Sequence, residues 1–460
     1  MKEKIIISVL CGIVIMLGVM NAGMGPEGRN RKAINENSVK ILEDNYVVMH
    51  DTTNDEYYFQ TGNVEMQELA DRITLYAISA CMIDADTGRI LYGKNPYEAR
   101  AMASTTKILT CLLALENCSI DDVVTASEYA ASMPDVQLNM RAGEQFRLYD
   151  LLLSLMLESH NDTAVAIAEH VGGSVEKFCD MMTKRAREIG CTKSVFLTPN
   201  GLDKEVATEE GTKKHSTTAE ELALILRECL KNEQFVAICR TKNAMIYNVD
   251  KSKSYQLNNH NSLLNTMEGV IAGKTGFTCD AGYCYVGAVE RDGARYICAL
   301  LGCGWPNNKN YKWYDMNVLI DYAEDNCRKI ELKQNLVNEK LLDDIPIYGA
   351  KLQNQPVYEL SLQRIEQNTS KEILVKEGEK LKLLYEIPAS LQAPLEEGEV
   401  VGKIHYTING QTLITENLTV GKTIYKMELP DFFKMAGRYF LRNDYAFSSS
   451  ESNSSEKCAS

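Results

Sequence analysis

The chain contains no long glycine- or proline-rich tract and no collagen or coiled-coil repeat; its 460 residues include 29 Gly and 10 Pro. A fibrous protein is thereby excluded. Basic charge is also in short supply. Lysine and arginine total 49 against 63 aspartates and glutamates, for a net charge of −14. That balance argues against a nucleic-acid binder working through a basic surface, although a local basic patch stays open. Hydrophobic residues make up 45% of the chain, enough for a sizeable core and too many for a wholly disordered protein. The length suits two or three domains.

The one long apolar run is terminal. Met1 to Lys4 carry two lysines, and Ile5 to Met20 follow almost without a polar residue. A short basic start and about sixteen apolar residues have the shape of an export signal and are slightly short for a comfortable membrane span. Residues 1–24 therefore read as a signal peptide or an uncleaved N-terminal anchor, and the protein as exported, working at the outer face of the cytoplasmic membrane or in the cell wall. Cys11 sits too early in the run to be a lipid-attachment cysteine. Residues 25–72, mostly polar and charged, read as a loosely ordered spacer.

Fourteen cysteines in an exported chain would normally raise disulfides. Here Cys81, Cys111, Cys229, Cys284 and Cys298 lie inside apolar runs, where a thiol acts as a small hydrophobe. Mostly free thiols are expected. Cys279, Cys284, Cys298 and Cys303 superficially resemble a zinc set. A spacing of five on a strand, however, sends two thiols to opposite faces, so no metal site is expected there.

Two hairpins bracket a helical region. Tyr76 to Tyr92 holds "AISACMID" and "RILY" around Asp84, Asp86, Thr87 and Gly88; Tyr283 to Gly302 holds "YCYVGAVE" and "ARYICALLG" around Arg291-Asp292-Gly293. These strands are apolar on both faces, so helices should cover both sides of their sheet. Helical patterns lie between them at Thr105 to Glu116, Leu151 to Leu157, Asp162 to Val171, Val175 to Ile189 and Thr218 to Leu230. One sheet built from distant parts of the chain is implied, spanning residues 73–332. Beyond it, "KLKLLYEI", "VVGKIHYTI" and "QTLITENLTV" alternate, with Asn409-Gly410 as a turn. Residues 340–428 thus read as a small all-β domain. Residues 429–445 read as an amphipathic helix on a membrane surface, with docking on the β domain as the alternative. Residues 446–460 form a Ser-rich tail, expected to be disordered.

Three short motifs carry the chemistry. Ser104-Thr105-Thr106-Lys107, Ser159-His160-Asn161 and Lys274-Thr275-Gly276 occur in that order, separated by 55 and 115 residues. S-x-x-K recurs at Ser174–Lys177 and Ser454–Lys457, but one opens an amphipathic helix and the other lies in the tail. Ser104 opens a buried helix, at its positive end, and Lys107 stands one turn on, on the same face. A serine hydroxyl is a poor nucleophile until a base takes its proton. A lysine can be that base if burial and a neighbouring cation, here Lys274, lower its pKa. The alternative, an N-cap serine with a solvated lysine, fits poorly with the apolar "ILTCLLAL" that follows. Ser159 to Asn161 form a polar break between two buried helices, able to aim a hydroxyl and an amide into a cleft; a plain N-cap is the bland reading. His160 is rejected as a general base, since its neighbours would then have to point the other way. Lys274 to Gly276 lie on a strand at a cleft rim, where an extended peptide can pair, and Gly276 keeps the backbone uncluttered.

Together with "LMLESHNDTAVAIAEHVGG", "FLTPNGL", "NHNSLL" and "GKTGFTCDAGYC", the triplet resembles the penicillin-recognising serine enzymes. Within them the chain is similar to the low-molecular-mass penicillin-binding proteins, serine-type D-alanyl-D-alanine carboxypeptidases, over roughly residues 73 to 442. The resemblance implies an α/β fold with a β-lactamase/DD-peptidase-like antiparallel sheet flanked by helices, followed by a small all-β domain. It implies Ser104 as acylated nucleophile, Lys107 as its base, Ser159 as proton relay and Asn161 as holder of the substrate backbone. Lys274 would set the electrostatics, Thr275 would bind the terminal carboxylate beside Gly276, and the N–H groups of Ser104 and Phe277 would form an oxyanion hole. Peptidoglycan stem peptides are the implied substrate and β-lactams the implied covalent inhibitors. No metal or organic cofactor, and no nucleic acid, is called for. Two other readings remain: a β-lactamase, disfavoured because no glutamate loop lies between the second and third motifs, and a non-catalytic cell-wall scaffolding protein.

Overall fold

The computed structural model describes residues 39–42, 46–50, 57–58, 73–209, 211–332, 336–351, 358–365, 372–431, 433–434 and 437. The expected signal segment, most of the C-terminal amphipathic helix and the Ser-rich tail lie outside them. The described residues fall into two compact units: 58–333 with the excursion 370–379, and the remainder.

The first unit is built on five antiparallel strands: β1 (Ser79–Asp84), β2 (Ile90–Lys94), β3 (Val270–Thr278), β4 (Gly282–Arg291) and β5 (Ala294–Leu301). Their order is β3-β4-β5-β1-β2, so the first hairpin joins the last one and β3 is an edge strand. Strand alternation explains the two-sided burial. Cys81 and Ile83 enter one core with Val286, Ala288, Ile297 and Ala299, while Ala80 and Met82 enter the other with Tyr285, Val289 and Cys298. Helices cover both faces, as the doubly apolar strands require.

The helices on the first face are α1 (Lys107–Asn117), α2 (Leu148–Leu157), α3 (Asn161–Gly172), α4 (Val175–Ile189), α5 (Ala219–Cys229) and α6 (Glu233–Arg240). Every residue of α1 from Lys107 to Ala114 is buried, which accounts for its nearly uniform apolarity. The opposite core is closed by α7 (Tyr311–Asn326), through Met316, Leu319, Ile320 and Ala323. Buried Asp315 on α7 accepts the N–H groups of Tyr76 and Ala77 at 2.9 and 2.7 Å and so fixes the chain's entry into β1.

Two expectations need correction. The boundary near residue 332 is crossed: Glu372–Lys376 return to pair with Cys327–Glu331, and buried Arg89 bonds Glu379 at 2.5 Å and the carbonyl of Leu374 at 2.6 Å. A buried charge needs its partner, so this excursion belongs with the first unit. Nor is the stretch 25–72 a featureless spacer. Val39–Leu42 pairs with Tyr46–His50, which pairs with Lys380–Pro388 in the second unit. The β-branched and apolar "VKIL" and "YVVMH" suit a sheet position. That sheet continues through Val400–Ile408, Gln411–Val420 and Leu362–Arg364. Asn409 and Gly410 have φ of 51° and 80°, the two positive values that a tight two-residue hairpin turn needs.

The twelve cysteines among the described residues are free, and all but Cys118 and Cys279 are buried. No helix among the described residues is long and apolar enough to cross a membrane.

Candidate active site

The chain enters α1 through a tight turn, Ala103–Thr106. Ser104 lies on that turn and Lys107 begins the helix, so one helical turn separates them. Lys107 Nζ stands 2.8 Å from Ser104 Oγ. Its two other neighbours are Asn161 Oδ1 at 2.9 Å and the carbonyl of Asn200 at 2.6 Å. Both are acceptors only. A neutral amine has two N–H groups for those two oxygens, and its lone pair is then left for the Ser104 hydroxyl.

Lys107 is fully buried. Burial, and then the nearby Lys274 cation, hold its pKa well below the usual lysine range, with Asp162 pulling weakly the other way. Lys274 is buried on β3, and burial lowers its pKa to about 7. Its Nζ donates to the carbonyl of Thr275 at 2.9 Å. Thr275 is half-buried beside it. Gly276 lies against the nucleophile's turn: a Cβ there would sit 2.8 Å from the Ser104 nitrogen. Phe277 exposes its ring, which packs on Tyr283 at 4.6 Å between centroids. Because β3 is the sheet edge, its outer backbone can take an extended peptide.

The middle motif is the loop between α2 and α3. Ser159 holds a positive φ of 69° and Ala103, before the nucleophile, one of 48°; each such conformation costs on the order of 1–3 kcal/mol in a non-glycine residue. Ser159 Oγ is buried without a hydrogen-bond partner. Asn161 is hydrogen-bonded on both sides of its amide. Its Oδ1 is bound to Lys107, and its Nδ2 donates to the carbonyls of Pro134 and Asp135, each at 3.1 Å. Through Oδ1 it positions Lys107. His160 turns to Ser154, 2.8 Å from Nδ1, and burial lowers its pKa to about 4.

Three supporting groups escaped the motif reading. The Asn200 carbonyl reaches Lys107 because Gly201, with φ of 86°, lets the loop press on the nucleophile's turn; a Cβ there would lie 2.0 Å from the Ala103 oxygen. Buried His215 accepts the Leu197 N–H at Nδ1, so its Nε2 carries the proton and donates to Thr106 Oγ1 at 2.8 Å. Burial takes its pKa down to about 3, so it stays neutral. Asp162 accepts the N–H groups of Leu138 and Met140. Only the "PNG" of "FLTPNGL" hinted at any of these.

Residues 65–304 match the family model described as D-alanyl-D-alanine carboxypeptidase. The chain belongs to this family. Residues 348–426 match the C-terminal domain of penicillin-binding protein 5. D-alanyl-D-alanine carboxypeptidase DacF of Bacillus subtilis is 30% identical over 374 residues, 78% of this chain and 88% of its own length. DacB2 of Mycobacterium tuberculosis is 31% identical over 47% of this chain and 72% of its own. Penicillin-binding protein 5 of Haemophilus influenzae, at 24% identity, covers 77% of this chain and 99% of its own with a TM-score of 0.60, which shows the shared fold.

Gly201→Ala should test whether the carbonyl contact matters. The forced shift between the loop and the nucleophile's turn is expected to slow acylation by a fluorescent penicillin about 10²-fold. Gly173→Ala, at a similar φ of 74° but with open space around it, is expected to label at the parental rate.

Proposed function

We propose that the protein removes the terminal D-alanine from peptidoglycan pentapeptides by acyl transfer through Ser104. The observation that carries this reading is the buried Lys107 amine, with two carbonyl acceptors for its N–H groups and Ser104 Oγ in the third direction. Family membership supports the reaction class: the chain is a serine-type D-alanyl-D-alanine carboxypeptidase of its family.

In this reading Lys107 takes the Ser104 proton as Oγ attacks the carbonyl of the penultimate D-alanine. The N–H groups of Ser104 and Phe277 hold the developing oxyanion. The C–N bond breaks, and the proton passes from Lys107 to the departing amine through Ser159, whose buried and unpartnered hydroxyl gains its partner when substrate arrives. Lys274 and Thr275 take the terminal carboxylate. Water then hydrolyses the ester and frees Ser104. A β-lactam would acylate the same oxygen.

Mass spectrometry after incubation with a pentapeptide tests the activity. The parent is expected to release D-alanine, and Ser104→Ala to release none. Lys107→Arg is expected to lose about 10²–10⁴-fold, since a guanidinium cannot take the proton. Release of D-alanine by Ser104→Ala at the parental rate would overturn the proposal.

The pH profile follows from the two lysines. Lys107 must be neutral to act, so activity falls on the acid side. Lys274, with its pKa lowered to about 7, loses its positive charge as pH rises through that value, so carboxylate capture weakens. Acylation efficiency with a free-acid penicillin is expected to decline from about neutrality upward, while a penicillin ester lacks that alkaline limb. An identical limb for both would remove Lys274 from carboxylate recognition.

The basic-then-apolar start supports export, with action at the outer face of the cytoplasmic membrane and peripheral contact through residues 429–445. Cell fractionation tests this: penicillin label confined to the cytosol would refute it.

A further inference from the structure

On the side of the helical layer away from the motifs, three donor side chains converge. Cys118 is the capping residue just after α1, Asp122 precedes the short strand Val123–Thr125, and His170 lies in the last turn of α3. Their Sγ, carboxylate oxygen and ring nitrogen all lie within 4.8 Å of one another. Asp122 Oδ2 and His170 Nε2 are 3.5 Å apart. Two donors on one tetrahedral zinc ion, with bonds of about 2.0–2.3 Å, stand about 3.3–3.6 Å apart, so the set needs only a small closure.

Cys118 and Asp122 are held by their backbones, and His170 by its helix. The N–H of Cys118 bonds the Ala114 carbonyl at 3.1 Å, that of Asp122 bonds the Ser119 carbonyl at 3.0 Å, and the Asp122 carbonyl accepts from Leu148 at 2.8 Å. Cys118 and Asp122 are half-buried and His170 is exposed, so the group is open to an ion from solvent. Glu169, beside His170, has a buried carboxylate oxygen with no hydrogen-bond partner. Both residues line a cavity of about 570 Å³ that also includes Val123, Ser127 and Tyr129. Cys118 and Asp122 are not part of that lining, so His170 alone of the three faces the cavity.

We propose that Cys118, Asp122 and His170 bind one divalent transition-metal ion of the zinc class, which staples the C-terminal end of α1 to that of α3. The mixed thiolate, carboxylate and imidazole set suits a borderline-soft ion and disfavours magnesium or calcium. On binding, the Cys118 thiol gives its proton to solvent and a water completes the tetrahedron. The site lies about 16 Å from Lys107, the length of α1 at 1.5 Å per residue, so the ion takes no part in acyl transfer. Its place in the fold gives its role. The near ends of these same two helices carry Lys107 and Asn161, whose bond orients the base. Joining the far ends holds the helix pair, and so that bond, in register.

The test uses the full-length protein, stripped with chelator under reducing conditions and titrated with cobalt(II) and with zinc(II). The parent is expected to take up one equivalent, to show a thiolate-to-cobalt charge-transfer band and to gain thermal stability. Cys118→Ser and His170→Ala are expected to lose the band and the stability gain while still labelling with fluorescent penicillin, which reports that they are folded. Cys279→Ser, at the exposed thiol near the third motif, is expected to keep the band. No band in the parent, or a band that survives Cys118→Ser and disappears in Cys279→Ser, would overturn the proposal.

Discussion

An ammonium at Lys107 would give up its hydration and find three oxygens in exchange, one of them the hydroxyl that must lose a proton. Neutrality costs less. The amine keeps two hydrogen bonds to carbonyl acceptors and turns its lone pair to Ser104. Burial supplies the larger share of this bias and the Lys274 cation adds to it. Catalytic competence thus begins with packing: any opening that admits water beside Nζ restores the charge and removes the base.

The fold can be read as the means of keeping that amine dry. Helix α1 is buried from Lys107 to Ala114, because α2, α3, α5 and α6 pack around it. The acceptors come from separate places: Asn161 from the start of α3, and the Asn200 carbonyl from a loop that Gly201 lets approach within contact of the nucleophile's turn. Lys274 arrives on the edge strand of the sheet. Each element is anchored at its far side, α7 through Asp315, the loop at 195–200 through His215, and the first hairpin through Arg89 and the returning segment 370–379.

Asn161 shows how a residue's role depends on its neighbours. Its place in the second motif puts it beside the base. In the folded chain the Pro134 and Asp135 carbonyls take both its amide hydrogens, and the remaining oxygen faces inward to the lysine. Ser159, two residues earlier, is in the opposite state, with a buried hydroxyl awaiting a partner. The Asn161 side chain makes three hydrogen bonds within the protein and that of Ser159 makes none.

Local pattern was enough for much of this. Strands apolar on both faces demanded helices on both sides, Asn409-Gly410 demanded a tight turn, and three short motifs in order specified a serine with a lysine base one helical turn away. These follow from periodicity and backbone conformation, which act over a few residues. What the tertiary structure alone decided involves groups far apart in sequence. The Asn200 carbonyl, the return of Glu372–Lys376 to Cys327–Glu331, the strands at 39–50 in the second sheet, and the meeting of Cys118, Asp122 and His170 leave no local signature. Hydrogen bonding and desolvation are set by which atoms end up within about 3 Å of each other, and that is fixed only when the whole chain has packed.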